Sequence, residues 1–568
     1  MPLARYLSPL LLASALLLTP KPAATFEPAG AYLAAREAGT RSDFAASVPY
    51  LERLVAHDPE NADFRETLVL SLMVTGQFEA AAEQAEQLAA LSPGSHVAGL
   101  VLMAEAFEQR DYARALSLLE GAGSGHAMVD GLARAWAELG EGRMTEALAV
   151  LDDIAARDGL GAFALYCRAL ALAMVGDVEG ALAIFEDPTS GVAESVDRRG
   201  IIAHAQVLAL AERPDDAMAL IGLIFADPAS DRRLAPMVEA FAAGEAVPFD
   251  MITDAAEGMA EVFSIMARAM HSGRNPHDAL LYARAATWVN AGLTQQQLFI
   301  GQIYEDLDQP GMAAEAYARI PADDTFGMAA AMGRAQTLES LGRADEAIEA
   351  LIRLSEEHPQ SVAAFQVLGD FLRRESRHEE AITAYDRALA LHEEQGREPD
   401  WRLWFARGVS HERSDQWEPA EADFRRALQI EPDQPTVLNY LGYSLVERQE
   451  NLEEALEMIE RAVAGEPDSG YIIDSLAWAL FRLGRYDEAL EPMERAVELM
   501  PEDPILNDHL GDVYWALGRN REARFQWRRA LSFGPHDDLD MDRVRRKLDV
   551  GLDRVLEDEG EPPLHPAD

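Results

Sequence analysis

The chain has 568 residues, more than one hydrophobic core serves, and 49% of them are hydrophobic against 26% charged, which excludes global disorder. Its 98 acidic and 49 basic residues leave a net charge of -49, and a surface that negative repels nucleic-acid phosphates and anionic membranes. Alanine and leucine dominate and aromatics reach only 7%, a composition that favours helix over sheet.

The N-terminus, MPLARYLSPLLLASALLLTPKPAATF, carries Arg5, an apolar stretch from Leu7 to Leu18 and small residues at Ala23 and Ala24. This predicts a secretory signal peptide over 1–24, with an uncleaved anchor as the alternative, and an exported, periplasmic protein. Nothing downstream has the length of uninterrupted apolar sequence that a membrane-spanning helix requires.

From there a repeat organises the chain. A small residue opens the second half of each unit at Ala81, Ala115, Ala147, Ala181 and Ala217, and again at Ala279, Ala313, Ala347, Ala381, Ala420, Ala455, Ala489 and Ala523. Most intervals are 34 residues. In the unit from Gly470 to Glu502, Ile473, Leu476 and Leu480 line a first helix at spacings of three and four. Leu483-Gly484-Arg485 ends it, with Gly484 suited to a left-handed cap. Tyr486, Ala489, Met493 and Ala496 form the inward stripe of a second helix that stops at Pro501. Such a hairpin cannot bury its own apolar face, so it must stack on its neighbours.

Two irregularities break the period. Ala217 and Ala279 are 62 residues apart, and the intervening sequence reads as a distorted helical connector. LHEEQGREPDWRLW adds a few residues between the units holding Ala381 and Ala420. Past Pro535, Val544, Leu548, Leu552 and Val555 form the stripe of a capping helix, and EDEGEPPLHPAD reads as a disordered tail. The domains are a signal peptide (1–24), a first repeat block (25–226), a connector (227–275), a second block (276–536), a cap (537–556) and a tail (557–568).

A period of 34 with this pattern resembles the tetratricopeptide repeat (TPR), and the resemblance covers most of residues 31 to 535. It implies an all-α solenoid superhelix of stacked helix-turn-helix units with one irregular interruption. The segments LGYSLVERQENLEEALEMIERAV, LAWALFRLGRYDEALEPMERAV and LGDVYWALGRNREARFQWRRAL are similar to a large envelope TPR family of Gram-negative bacteria. That likeness implies an adaptor bringing envelope enzymes and their protein substrates together, with peripheral envelope association. The chain departs from the family's lipoproteins in lacking a lipobox cysteine.

Catalytic constellations are missing from the sequence. There is no HExxH, GxSxG or Walker A motif, and the GAGSGH run at Gly121–His126 lacks the lysine of a phosphate loop and reads as an inter-repeat loop. The thirteen histidines are scattered, so no metal or cofactor is expected. Cys167, the one cysteine, lies among apolar residues at helical spacing and reads as core.

Binding is the remaining function. In a TPR array the first helices line the concave face, and their non-core positions in the last three units hold Asn439, Tyr443, Asp474, Trp478, Phe481, Asp508, Asp512 and Trp515. Aromatic anchors beside carboxylates suit protein or peptide partners with basic patches. Trp478 and Trp515 read equally as packing between units. The sequence therefore predicts a non-enzymatic scaffold, with a regulatory or substrate-docking subunit of an envelope protease or cell-wall enzyme as the alternative.

Overall fold

The computed structural model describes residues 28–565 apart from 122, 158, 196, 226–232, 246, 535, 537 and 538. The signal peptide predicted over 1–24 lies outside the described residues. Every regular element among the described residues is an α-helix, and consecutive helices pair as hairpins joined by short turns.

One turn recurs along the chain. Gly484 has φ +75°, its N–H donates to the Phe481 carbonyl at 2.9 Å, and the Arg485 N–H donates to Leu480 at 2.9 Å. This is the doubly bonded left-handed cap predicted at Gly484, and it closes the first helix, Gly470–Arg482, before the second, Tyr486–Leu499. The same geometry stands five residues ahead of the repeat alanine at Arg110, Glu212, Arg274, Asp308, Ser376 and Asp415, where the side chain is not glycine. A side chain in the left-handed region costs about 1–2 kcal/mol. The stack therefore imposes the turn even where the residue resists it.

The repeat alanines, from Ala81 to Ala523, are each no more than 1% exposed. They are small because the second helix packs close to the first, and a ring from the second helix fills the notch left by a glycine on the first. A Cβ on Gly369 would lie 2.5 Å from Tyr385, and one on Gly408 would lie 2.7 Å from Phe424. Cys167 is buried as expected, and burial pushes its thiol up to about 12, with Glu261 adding to the shift.

The chain forms two compact units that divide between Ala347 and Ile348, within the helix Ala344–Glu357. The division does not fall at the predicted block boundary of 275/276. The helix pair Ala255–Ser272 and Pro276–Val289 belongs wholly to the first unit, because it packs on helices Ala62–Val74, His96–Glu108, Ala127–Gly140 and Gly161–Met174. The cover for the earlier repeats thus combines the end of the predicted connector (227–275) with the first helix of the predicted second block (276–536).

The C-terminus also departs from expectation. The cap is two short helices, Met541–Val550 and Leu552–Glu559, broken at Gly551 with φ +90°. The second helix reaches into the predicted tail. The His565 N–H then donates to Asp553 at 3.0 Å, and Leu564 packs on the core of the second unit. Tail residues 566–568 lie outside the described residues.

A Cβ on Gly258, in the covering pair, would lie 2.5 Å from the ring of Trp136, whereas one on Gly222 meets nothing within 4 Å. Gly258→Ala is expected to cost about 1–3 kcal/mol through overpacking. Gly222→Ala is expected to stabilise by up to about 1 kcal/mol through helix propensity. Thermal denaturation followed by circular dichroism reads both, and equal effects would contradict the close docking of Gly258.

Candidate partner-binding groove

Within each unit the first helices of successive hairpins touch one another as well as their own partners. Ala62–Val74 meets His96–Glu108, and Pro435–Glu447 meets Gly470–Arg482, which in turn meets Pro504–Ala516. The second helices do not approach each other as closely, so the first helices form the inner face of the curve.

In the first unit the helices Ala255–Ser272 and Pro276–Val289 occupy the inner face of helices Ala62–Val74 to Gly161–Met174, with further contacts at the starts of the second helices and in the turns. Phe78 stacks on Trp288 at 5.0 Å, and Phe44 sets its edge against His277 at 5.5 Å. His277 shares a 3.0 Å hydrogen bond with Ser42. Arg199 Nε donates to the buried Glu261 at 2.8 Å, and Arg110 pairs with Asp254 at 2.9 Å. Arg284, itself buried, donates from Nε to the Val74 carbonyl at 2.8 Å, where the C-terminal end of the Ala62–Val74 helix favours a cation. Hydrophobic burial and matched charge together seal this groove with the chain's own helices.

In the second unit the predicted groove residues separate into three groups. Asn439 and Tyr443 are half-buried on the inner face, and the Asn439 Oδ1 has no hydrogen-bond partner among the described residues. Asp474, Trp478 and Phe481 are buried in a stack between repeats. There Trp478 lies 4.9 Å from Phe481 and 4.0 Å from His509, and its indole N–H donates to Glu447. Asp474 accepts from His509 Nδ1 at 3.0 Å.

Asp508, Asp512 and Trp515 form the third group, beneath the terminal helices. Lys547 is 0% exposed and its Nζ donates to both Asp508 and Asp512 at 2.7 Å. Asp512 also accepts from Trp527 at 2.9 Å, and Trp515 donates to Asp553 at 2.9 Å. These three side chains are internal to the chain, because an apolar end face needs a cover and the cover brings its own cation. Sequence reasoning missed Lys547, His509, Glu412 and Glu447 as participants. The rarity of lysine was the available signal for Lys547.

Burial raises the Asp512 carboxyl above its ordinary range, with Lys547 opposing and Asp508 reinforcing the shift. Burial alone would lower His509, but Asp474, Asp508 and Asp512 outweigh it and raise its pKa.

No group of three or more His, Cys, Asp or Glu suited to a metal occurs among the described residues, and no described helix is long and apolar enough to cross a membrane.

Stacked helix hairpins with an inner face built from first helices define an α-solenoid repeat protein. Tetratricopeptide-repeat models match residues 32–96, 300–362, 332–395 and 390–533, and the chain belongs to the TPR proteins. It is 28% identical over 187 residues to the TPR repeat-containing protein PA4667 of Pseudomonas aeruginosa, a match spanning 33% of this chain and 31% of that relative. Among solved structures it is similar to a tetratricopeptide repeat protein of Parabacteroides merdae, at 14% identity and a TM-score of 0.38 over 46% of this chain and 98% of that one. It is also similar to the Cut9–Hcn1 assembly of the APC/C, at 12% identity and a TM-score of 0.37 over 93% and 96%.

Lys547→Met leaves Asp508 and Asp512 buried without their cation and is expected to cost about 3–5 kcal/mol in urea unfolding. Adding Asp508→Asn and Asp512→Asn is expected to recover part of that loss. His509 has a folded pKa above its ordinary 6.5, so its stabilisation is complete below pH 6.5 and is lost as pH rises through the folded value. The second unit is therefore expected to weaken as pH rises from 6.5, and His509→Gln to remove that slope. Ring NMR titration of His509 locates the folded pKa, and a midpoint below 6.5 contradicts the assignment.

Proposed function

We propose that this chain is a non-enzymatic adaptor of the bacterial cell envelope that holds partner proteins on the inner face of its second unit. The observation that carries the reading is the contrast between the two faces. The inner face of helices Ala62–Val74 to Gly161–Met174 in the first unit is filled by the Ala255–Val289 helices, whereas helices Trp401–Arg413 and Pro435–Glu447 keep Phe405, Val409, Glu412, Asn439 and Tyr443 half-buried and Glu447 exposed. Apolar and aromatic anchors beside carboxylates, on a chain of net charge -49, suit partners that present basic segments. Export is supported by the apolar stretch and small residues of the first 24 positions.

The test is crosslinking in intact cells, followed by capture of the crosslinked partner with wild type and with the Asn439→Ala, Tyr443→Ala double variant. Capture is expected to fall about tenfold or more in the variant, the effect of losing one anchor of roughly 1.4 kcal/mol or more. Reversible binding of the identified partner by the purified chain, without crosslinker, is also expected to weaken steeply between 0.05 and 0.5 M salt, roughly the range over which screening shortens from above to below 10 Å. Capture indifferent to both would remove the second unit's inner face as the binding surface.

A further inference from the structure

The helix Leu552–Glu559 is followed by a short segment that returns to the last repeat. Gly560, at φ +86°, reverses the chain, with its N–H donating to the Glu557 carbonyl at 3.1 Å and the Glu561 N–H donating to Leu556 at 2.8 Å. Pro562 and Pro563 come next, with fixed φ and no N–H to donate, so residues 560–565 run as a stiff strap and not as a further helical turn. Leu564 packs on the core of the second unit, and His565 follows it.

His565 is clasped from two sides. Its main-chain N–H donates to Asp553 Oδ1 at 3.0 Å, its ring Nδ1 lies 3.1 Å from Asp553 Oδ2, and its ring Nε2 lies 3.2 Å from the Ala516 carbonyl. Both ring nitrogens therefore face acceptors. A neutral imidazole carries one N–H and serves only one of them, whereas the imidazolium donates to both. The surroundings favour the charged ring on separate grounds. The Ala516 carbonyl ends helix Pro504–Ala516, and a helix C-terminus attracts a cation. Asp553 pairs with no lysine or arginine among the described residues, so the ring supplies its cation. Burial pushes the Asp553 carboxyl up, but the Trp515 indole and the main chain and ring of His565 outweigh it and hold the group below its ordinary range. Asp553 thus stays ionised where histidine side chains titrate. Tyr486, on helix Tyr486–Leu499, also feels this carboxylate; burial first and Asp553 second raise its hydroxyl, which stays neutral over the same range.

We propose that residues 560–565 form a pH-gated strap over the end of helix Pro504–Ala516, closed while the His565 ring carries both protons and opening as it loses one. Deprotonation removes one ring hydrogen bond and the charge attraction to Asp553 together, and opening uncovers the Ala516 carbonyl and the Asp553 carboxylate. The closure is therefore held at low pH and released as pH rises, the reverse of a gate built on a carboxylate. The strap belongs to the chain's own end and does not depend on the adaptor reading.

The test is hydrogen exchange of the full chain, read by mass spectrometry at pH 5.5 and 8.0 and corrected for the intrinsic effect of pH on exchange. The His565 amide is expected to lose about threefold or more of its protection at pH 8.0. A peptide from helix Pro504–Ala516, which carries His509, reports the weakening of the whole unit and is expected to lose less. His565→Gln keeps one side-chain donor and cannot titrate, so its strap is expected to be equally protected at both pH values. Selective ¹⁵N labelling of histidine, with His565→Gln identifying the signal, is expected to show both ring nitrogens protonated at pH 5.5 and one at pH 8.0. Equal strap protection at the two pH values in the wild type, the same fall in His565→Gln, a fall shared equally with Pro504–Ala516, or a singly protonated ring at pH 5.5 overturns the gate.

Discussion

A two-helix hairpin has more apolar surface than it can fold against itself, and this excess governs the whole molecule. Each interior hairpin settles it by lying against the next, which is why a buried alanine and a left-handed turn recur together along the chain. The non-glycine turns show how strong the constraint is. Arg110 and Asp308 hold a conformation that their own side chains disfavour, because the helices on either side are fixed by their neighbours.

Surfaces without a following hairpin need another cover, and the irregular parts of the chain provide it. The Ala255–Ser272 and Pro276–Val289 helices lie on the inner face of the first repeats, with Gly258 admitting the ring of Trp136. At the other end, Met541–Val550 and Leu552–Glu559 close the last repeat. Both covers bring cations against polar groups buried beneath them. Arg284 joins Tyr304 in donating to the Val74 carbonyl at a helix end, and Lys547 meets two aspartates. Burying a charge is unfavourable unless the geometry pairs it closely, and Lys547, 2.7 Å from each of two aspartates, meets that condition.

Covering has a consequence for recognition. A sealed inner face contributes stability and no binding surface, so the repeats that look alike in sequence are not equivalent in what they offer a partner. The stretch from Trp401 to Glu447 keeps aromatic and acidic side chains partly accessible, in a molecule whose remaining arginines are largely drawn into exposed pairs with neighbouring carboxylates such as Arg485–Glu488 and Arg377–Glu380. Exposed pairs of that kind contribute little to stability, but they leave the net negative charge to dominate the field that an approaching partner meets.

The hairpins, the turn at Gly484, the buried state of Cys167 and the repeat alanines are all legible in the amino-acid order, because each depends on contacts within one period or between adjacent periods, and a period shows as a pattern. The same order also places Asn439 and Tyr443 on the inner face. Which inner faces are covered was not legible there and depends on the stacked repeats. The docking of Gly258 on Trp136, of Arg284 on Val74 and of Lys547 on Asp508 and Asp512 joins residues 35 to 210 positions apart with no recurring spacing. Such contacts are set by the shape and charge of two finished surfaces, which exist only once the repeats have stacked.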